Sequence, residues 1–176
     1  MPVATDVGIG NNPLVISSRR KIIPLDDLAS WRANLRKTGR RLVVTNGCFD
    51  LLHAGHVSYL ETARSFGDAL LVGLNGDDSV RALKGEGRPL NSEMDRARVL
   101  AALEVVDGVV IFPEPTATRF LKAAEPDIYV KGGDYTLATL NQEERAAVEQ
   151  QGGEIRIVPF LPGKSTTSLV EKLARK

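Results

Sequence analysis

His53 and His56, the only two histidines of the chain, stand three residues apart in Thr45-Asn46-Gly47-Cys48-Phe49-Asp50-Leu51-Leu52-His53-Ala54-Gly55-His56. Imidazoles change charge near neutral pH, so such a pair can move protons, donate hydrogen bonds to an anion or hold a metal. Zinc would need three or four ligands. With one cysteine, Cys48, and no third histidine, the rest would have to be carboxylates of unassigned position. A single histidine is more often a satisfied polar group of the fold, but two at the start of a helix, with Gly55 between them, favour a functional reading. Gly55 removes a side chain where a nucleotide or phosphate would approach closely; easy backbone geometry is its plainer explanation.

The elements around this stretch decide how it is presented. Leu42-Val43-Val44 reads as a buried strand, and Val57 to Arg64 as the body of a helix, so residues 45–56 form a strand-to-helix turn. A helix N-terminus carries partial positive charge and unpaired amide donors, which favour a phosphate there. At i and i+3, His53 and His56 share that side of the helix.

Leu42 begins an alternation of short apolar strands and helices. Strands are expected at Leu42–Thr45, Ala69–Leu74, Gly108–Phe112, Asp127–Val130 and Glu154–Pro159. Helices are expected at Gly55–Ser65, Asp77–Leu83, Ser92–Leu103, Thr116–Ala124, Asn141–Gln151 and Thr167–Ala174. An earlier helix starts near Pro24-Leu25-Asp26-Asp27, with Asp26 or Asp27 as its cap and Gly39 as its stop. Continuous apolar runs such as Leu70-Leu71-Val72-Gly73-Leu74 indicate a parallel sheet covered on both faces. The expected fold is a Rossmann-like, doubly wound α/β sheet of about five strands, whose ligands bind beyond the carboxyl ends of the strands. The polar, glycine-bearing turns fall there: Asn46 to Asp50, Asn75-Gly76-Asp77-Asp78, Lys131-Gly132-Gly133-Asp134-Tyr135 and Gly163-Lys164-Ser165-Thr166-Thr167-Ser168.

Composition narrows the class. A chain of 176 residues, 43% hydrophobic and 26% charged, describes one domain with a sizeable core over residues 21–176, preceded by a flexible arm over 1–20. A net charge of +1 gives no reason to expect nucleic acid or an acidic membrane surface as partner. The lone Cys48 cannot close an intramolecular disulfide, no apolar run approaches a membrane span, and residues 1–12 lack a signal-peptide core. A cytoplasmic setting is expected.

Neither G-x-G-x-x-G nor the P-loop pattern occurs in the first turn, and Gly163-Lys164-Ser165 would need a glycine where Val158 stands. The glycine, lysine and hydroxyls at 163–168 suit a phosphate cradle, or simply a helix cap. Lys84-Gly85-Glu86-Gly87-Arg88-Pro89 joins two helices as a loop able to reach phosphates, although surface loops often carry such cations. Arg96, on the helix that follows, is either solvated or projects into the site.

The stretch Asn46 to His56, with its His-x-Gly-His core, resembles the signature turn of the small cytidylyltransferase-like nucleotidyltransferases. Together with Val72-Gly73-Leu74-Asn75, Val130 to Tyr135 and Gly163 to Thr167, it is similar to the D-glycero-β-D-manno-heptose 1-phosphate adenylyltransferases of ADP-heptose synthesis, over about residues 40–175. Residues 136–141 depart from the form of this domain that is fused to a sugar kinase; the kinase step is expected in a separate protein. The resemblance implies adenylyl transfer from ATP to heptose 1-phosphate by a homodimer. The catalytic groups would be His53, His56, Lys84 and Arg88. Nucleotide contacts would fall on Asn46, Gly47, Cys48, Phe49, Gly55, Gly132, Asp134, Ser165, Thr166 and Thr167, and substrate contacts on Asp50, Asn75, Arg96 and Lys131. Mg²⁺ would arrive on the triphosphate, with Asp50 as its best protein contact.

Overall fold

The computed structural model describes residues 18–133 and 135–159. Among these residues five strands, β1 (Leu42–Gly47), β2 (Ala69–Asn75), β3 (Gly108–Phe112), β4 (Ile128–Gly132) and β5 (Glu154–Val158), form one sheet in the order β3-β2-β1-β4-β5. Every neighbouring pair is parallel. The chain winds outward from β1 to β3 and then returns to lay β4 on the other side of β1. The strand order therefore reverses between β1 and β4, where ligands gather in open α/β sheets. The doubly wound arrangement anticipated from the alternation is the one observed.

Among the described residues six α-helices cover the sheet: α1 (Leu28–Lys37), α2 (Ala54–Arg64), α3 (Asp77–Lys84), α4 (Glu93–Ala102), α5 (Thr118–Ala124) and α6 (Gln142–Glu149). Successive strand residues point to opposite faces, so Leu42 and Val44 join a core with α1, α5 and α6, while Val43 joins one with α2 and α4. Gly73 lets α5 come close: a Cβ there would lie 2.5 Å from Phe120 Cε1. The amino ends of the strands are fastened by carboxylates. Asp127 Oδ2 accepts from the Leu42 amide at 2.6 Å and from Arg32 Nη2 at 3.0 Å, and Asp107 Oδ2 accepts from the Leu70 amide at 2.8 Å.

Several boundaries differ from expectation. Residues 25–27 form a 3-10 turn ahead of α1, and neither Asp26 nor Asp27 caps that helix through its side chain. β1 runs through Gly47 because it stays paired with β2 as far as Leu74, and β4 reaches Gly132 opposite Val158. Asn46, Gly47, Lys131 and Gly132 are thus strand-end residues rather than loop residues. α5 starts at Thr118, two residues late, with the amide of its N-cap residue Ala117 bound by Glu144. Residues 18–20, assigned to the arm, belong to a 3-10 turn over Ser18–Lys21, tied on by Lys21 Nζ donating to the Leu103 carbonyl at 3.0 Å. The rest of the arm and the expected helix Thr167–Ala174 lie outside the described residues.

Candidate active site

The carboxyl end of β1 leads into the turn that carries the histidines. Phe49 adopts a left-handed backbone (φ 43°), which bends the chain and buries its ring. His53 is the extended N-cap residue of α2, and its carbonyl accepts from the amides of His56 (2.9 Å) and Val57 (3.2 Å). That opening turn packs the two imidazoles together in a tilted pair, 3.9 Å between centroids and 31° between planes, with the Phe49 ring 5.4 Å from His56. Gly55 is buried within the first turn of α2.

His56 faces a cavity of about 520 Å³ at the β1/β4 switch point. Asn46, Gly47, Cys48 and Phe49 floor it, Asn75 comes from β2 and Lys84 from α3, and Lys131 and Gly132 come from β4. Burial, then the neighbouring His53 and Lys84, push His56 down to about 4. At neutral pH it is a neutral imidazole with one N–H to donate. Cys48 is pushed up, chiefly by burial, so its thiol stays protonated.

The His56 shift has a measurable sign. Its folded value lies below its ordinary 6.5, so between these values the unfolded chain binds more protons than the folded one. Its contribution to stability is complete above about pH 6.5 and declines as pH falls toward 4. Urea unfolding at pH 5 and pH 7 is expected to show a smaller pH difference in His56→Gln than in the wild type. An NMR titration of His56 in the unliganded protein with a midpoint at 6 or above would contradict the burial argument.

Three expected ligand residues have other partners. Asp50 is fully buried at its side chain; its carboxylate accepts from Arg88 Nη1 (2.7 Å) and from the amides of Leu90 (2.7 Å) and Asn91 (3.4 Å). Burial would raise this carboxyl, but Arg88 and the two amides outweigh it and hold the group below the ordinary carboxylate range. Asp50 therefore anchors the α3–α4 connection, with its oxygens engaged, rather than standing ready for a metal. Arg88, expected at a phosphate, is turned to Asp50. Arg96, expected at substrate, is 2% exposed and donates to the carbonyls of Cys48, Asn75 and Asn91 and to Asp77. Asp50 and Arg96 share one cause, that a buried charge takes the partners packing brings to it, and the half-buried Arg88 is held by the buried Asp50. Among the described residues no group of three or more His, Cys, Asp and Glu side chains could hold a metal. Asp134, Ser165, Thr166 and Thr167 lie outside the described residues.

The cavity also contains Tyr135, quoted within a motif but given no role, and residues the motif reading missed: Tyr59, Thr116, Asn141 and Glu144. One signal was available for the last two. Asn141 and Glu144 have capping-box spacing, and Asn141 Oδ1 does accept from the amides of Glu143 and Glu144. Glu144, however, turns inward instead of closing the box, with Oε1 accepting from the Ala117 amide at 2.8 Å.

Comparison with known proteins agrees with this geometry. Residues 44–171 match the cytidylyltransferase-like family model. The bifunctional protein HldE of Geotalea uraniireducens is 53% identical over 156 residues, which cover 89% of this chain and 31% of that protein. The protein of the same name from Koribacter versatilis is 50% identical over 155 residues, covering 88% and 32%. The chain thus spans about a third of the length of these curated relatives. Among solved structures, a lipopolysaccharide core biosynthesis protein from Thermoplasma volcanium superposes with a TM-score of 0.58 at 27% identity, covering 70% of this chain and 98% of that one.

Proposed function

Because this chain belongs to the cytidylyltransferase-like family, we propose that it is a nucleotidyltransferase that passes the adenylyl group of ATP to D-glycero-β-D-manno-heptose 1-phosphate, giving ADP-heptose and pyrophosphate. The observation that carries this reading is the packed imidazole pair at the α2 N-terminus, with His56 lining a cavity that also takes Lys84 and Lys131. The motifs similar to heptose 1-phosphate adenylyltransferases supply the choice of acceptor, and the likeness to a lipopolysaccharide core biosynthesis protein agrees with an envelope sugar as product. The resemblance adds a cytoplasmic homodimer, with residues 21–176 as the catalytic domain. Among the described residues no helix is long and apolar enough to cross a membrane.

In this mechanism an ionised oxygen of the sugar phosphate attacks the α-phosphorus of ATP. The bond from that phosphorus to the bridging oxygen breaks, and pyrophosphate leaves with the electron pair. The acceptor is already an anion, so no general base is needed. The protein's task is to stabilise charge that grows on the phosphate oxygens, which preorganised donors in a partly enclosed site do well. His53 and His56 supply side-chain donors, the amides of residues 47–49 supply backbone donors, and Lys84 and Lys131 supply positive charge. Anionic phosphates beside His56 favour its protonated form and oppose the burial that depresses it. Magnesium enters with ATP, as part of the substrate.

A pyrophosphate-release screen tests the reading directly. ATP and CTP are each paired with heptose 1-phosphate and glycerol 3-phosphate. Turnover is expected with ATP and heptose 1-phosphate. Turnover confined to CTP and glycerol 3-phosphate would replace this reading with an alcohol-phosphate cytidylyltransferase, and tight ATP binding without turnover on any acceptor would point to a nucleotide sensor.

A further inference from the structure

Beneath the cavity runs a line of buried polar groups of which the proposed mechanism uses only Lys131. Lys131 Nζ donates to Asn46 Oδ1 at 3.0 Å, and the Tyr129 hydroxyl lies 2.7 Å from the same oxygen. That hydroxyl is also 3.0 Å from Glu144 Oε2, whose other oxygen binds the Ala117 amide. Tyr129 is completely buried and Glu144 is 6% exposed. A tyrosine and a carboxylate withdrawn from water at this depth are costly unless each is satisfied, and the satisfied arrangement is correspondingly rigid.

The donors also settle the orientation of the Asn46 amide. An ammonium group cannot accept a hydrogen bond, so the atom facing Lys131 is the amide oxygen, and the NH₂ is left for the cavity that Asn46 lines. Burial, then Glu144, pushes the Tyr129 phenol well above its ordinary value, so it keeps its one proton, which is shared between Asn46 Oδ1 at 2.7 Å and Glu144 Oε2 at 3.0 Å. Through Ala117, Glu144 also ties down the β3–α5 connection, which contributes Pro115 and Thr116 to the cavity wall.

We propose that Tyr129 and Glu144 are positioning residues for nucleotidyl transfer: they lock the Asn46 side chain with its NH₂ directed at an anionic phosphate oxygen of the bound nucleotide. This rests on the nucleotidyltransferase reading above. A donor held in place costs little reorganisation as charge develops, and a small displacement of such a group can lower rate by up to about 10²-fold.

The test uses three variants of the full chain, each first checked for its fold by circular dichroism. Tyr129→Phe and Glu144→Leu are each expected to lower kcat by about 10- to 100-fold while the KM for ATP stays within about threefold. Glu144→Gln should recover most of the rate. Its amide oxygen can accept from Ala117 and its NH₂ can donate to the phenol oxygen, whose proton then goes to Asn46. The double variant Tyr129→Phe/Glu144→Leu should be scarcely slower than either single change, because both cut the same line. Wild-type kcat in Tyr129→Phe, or Glu144→Gln as slow as Glu144→Leu, overturns the proposal. The Asn46 side-chain amide signals in ¹⁵N NMR give a readout independent of turnover. They should move or merge in Tyr129→Phe, and unchanged signals overturn the positioning role even if no acceptor is turned over. Absence of pyrophosphate release by the wild type would instead count against the nucleotidyltransferase reading.

Discussion

His56→Ala is expected to lower kcat for pyrophosphate release by about 10²–10³-fold, the usual effect of removing one preorganised donor from a site where negative charge develops. His56 lines the cavity and stands in the first turn of α2, where the helix dipole and free amides already favour anions. Its imidazole is neutral at pH 7 in the unliganded protein, so its N–H can strengthen a hydrogen bond as the transferred phosphorus gains charge. His53→Ala should fall in the same range. Its ring packs on His56 at 3.9 Å, so the substitution removes one donor and the support of the other. The two losses should not add fully, because the rings are in contact. The check is steady-state kinetics at saturating ATP and heptose 1-phosphate. Near wild-type kcat in both variants would remove the donor role. A raised KM with unchanged kcat would assign the pair to ground-state binding.

Arg96→Leu is expected to destabilise the fold by about 3–5 kcal/mol, the range for breaking a buried charged network by removing one partner. The guanidinium donates to the Cys48 carbonyl at 2.6 Å, the Asn75 carbonyl at 2.9 Å, the Asn91 carbonyl at 3.1 Å and Asp77 Oδ1 at 2.7 Å. It thereby joins the chain just past β1, the end of β2, the start of α3 and the approach to α4. Leucine would leave carbonyls without donors at a place that excludes water, at about 1–3 kcal/mol for each group orphaned. In a domain of this size the predicted loss corresponds to a fall in Tm of about 6–20 °C. Arg96→Lys should recover only part of it, since one ammonium cannot reproduce the planar fork. Thermal unfolding followed by circular dichroism decides the matter. A Tm within 2 or so degrees of wild type in Arg96→Leu would mean that the network adds little, on the scale of about 2–4 °C per kcal/mol.

Much of the site was legible because its signals are local. The apolar run at residues 42–44, the glycine-bearing turn and the paired histidines identify a strand, a turn and a helix start from adjacent residues, and parallel winding then carries Asn75, Lys131 and Gly132 to the same sheet edge. Side chains whose partners come from distant segments were not legible. Arg96 meets the Cys48 carbonyl 48 positions away, and Arg88 meets Asp50 38 positions away. From sequence each cation reads equally well as solvated or as a phosphate ligand. Tyr129 lies in the apolar run of β4 and reads as core, and Glu144 reads as an acid that compensates a helix N-terminus.

Residue order alone therefore determined the parallel α/β class, the location of the histidine turn and the family resemblance, because these follow from periodicity and from motifs a few residues long. The tertiary structure alone decided that Asp50 is an anchor with its oxygens engaged, that Arg96 is a buried brace, and that Asn46 Oδ1 meets Tyr129 and Lys131 with Glu144 behind the phenol. A buried polar group must find partners wherever packing supplies them, and those partners arrive with the crossing of the strands, which no local pattern records.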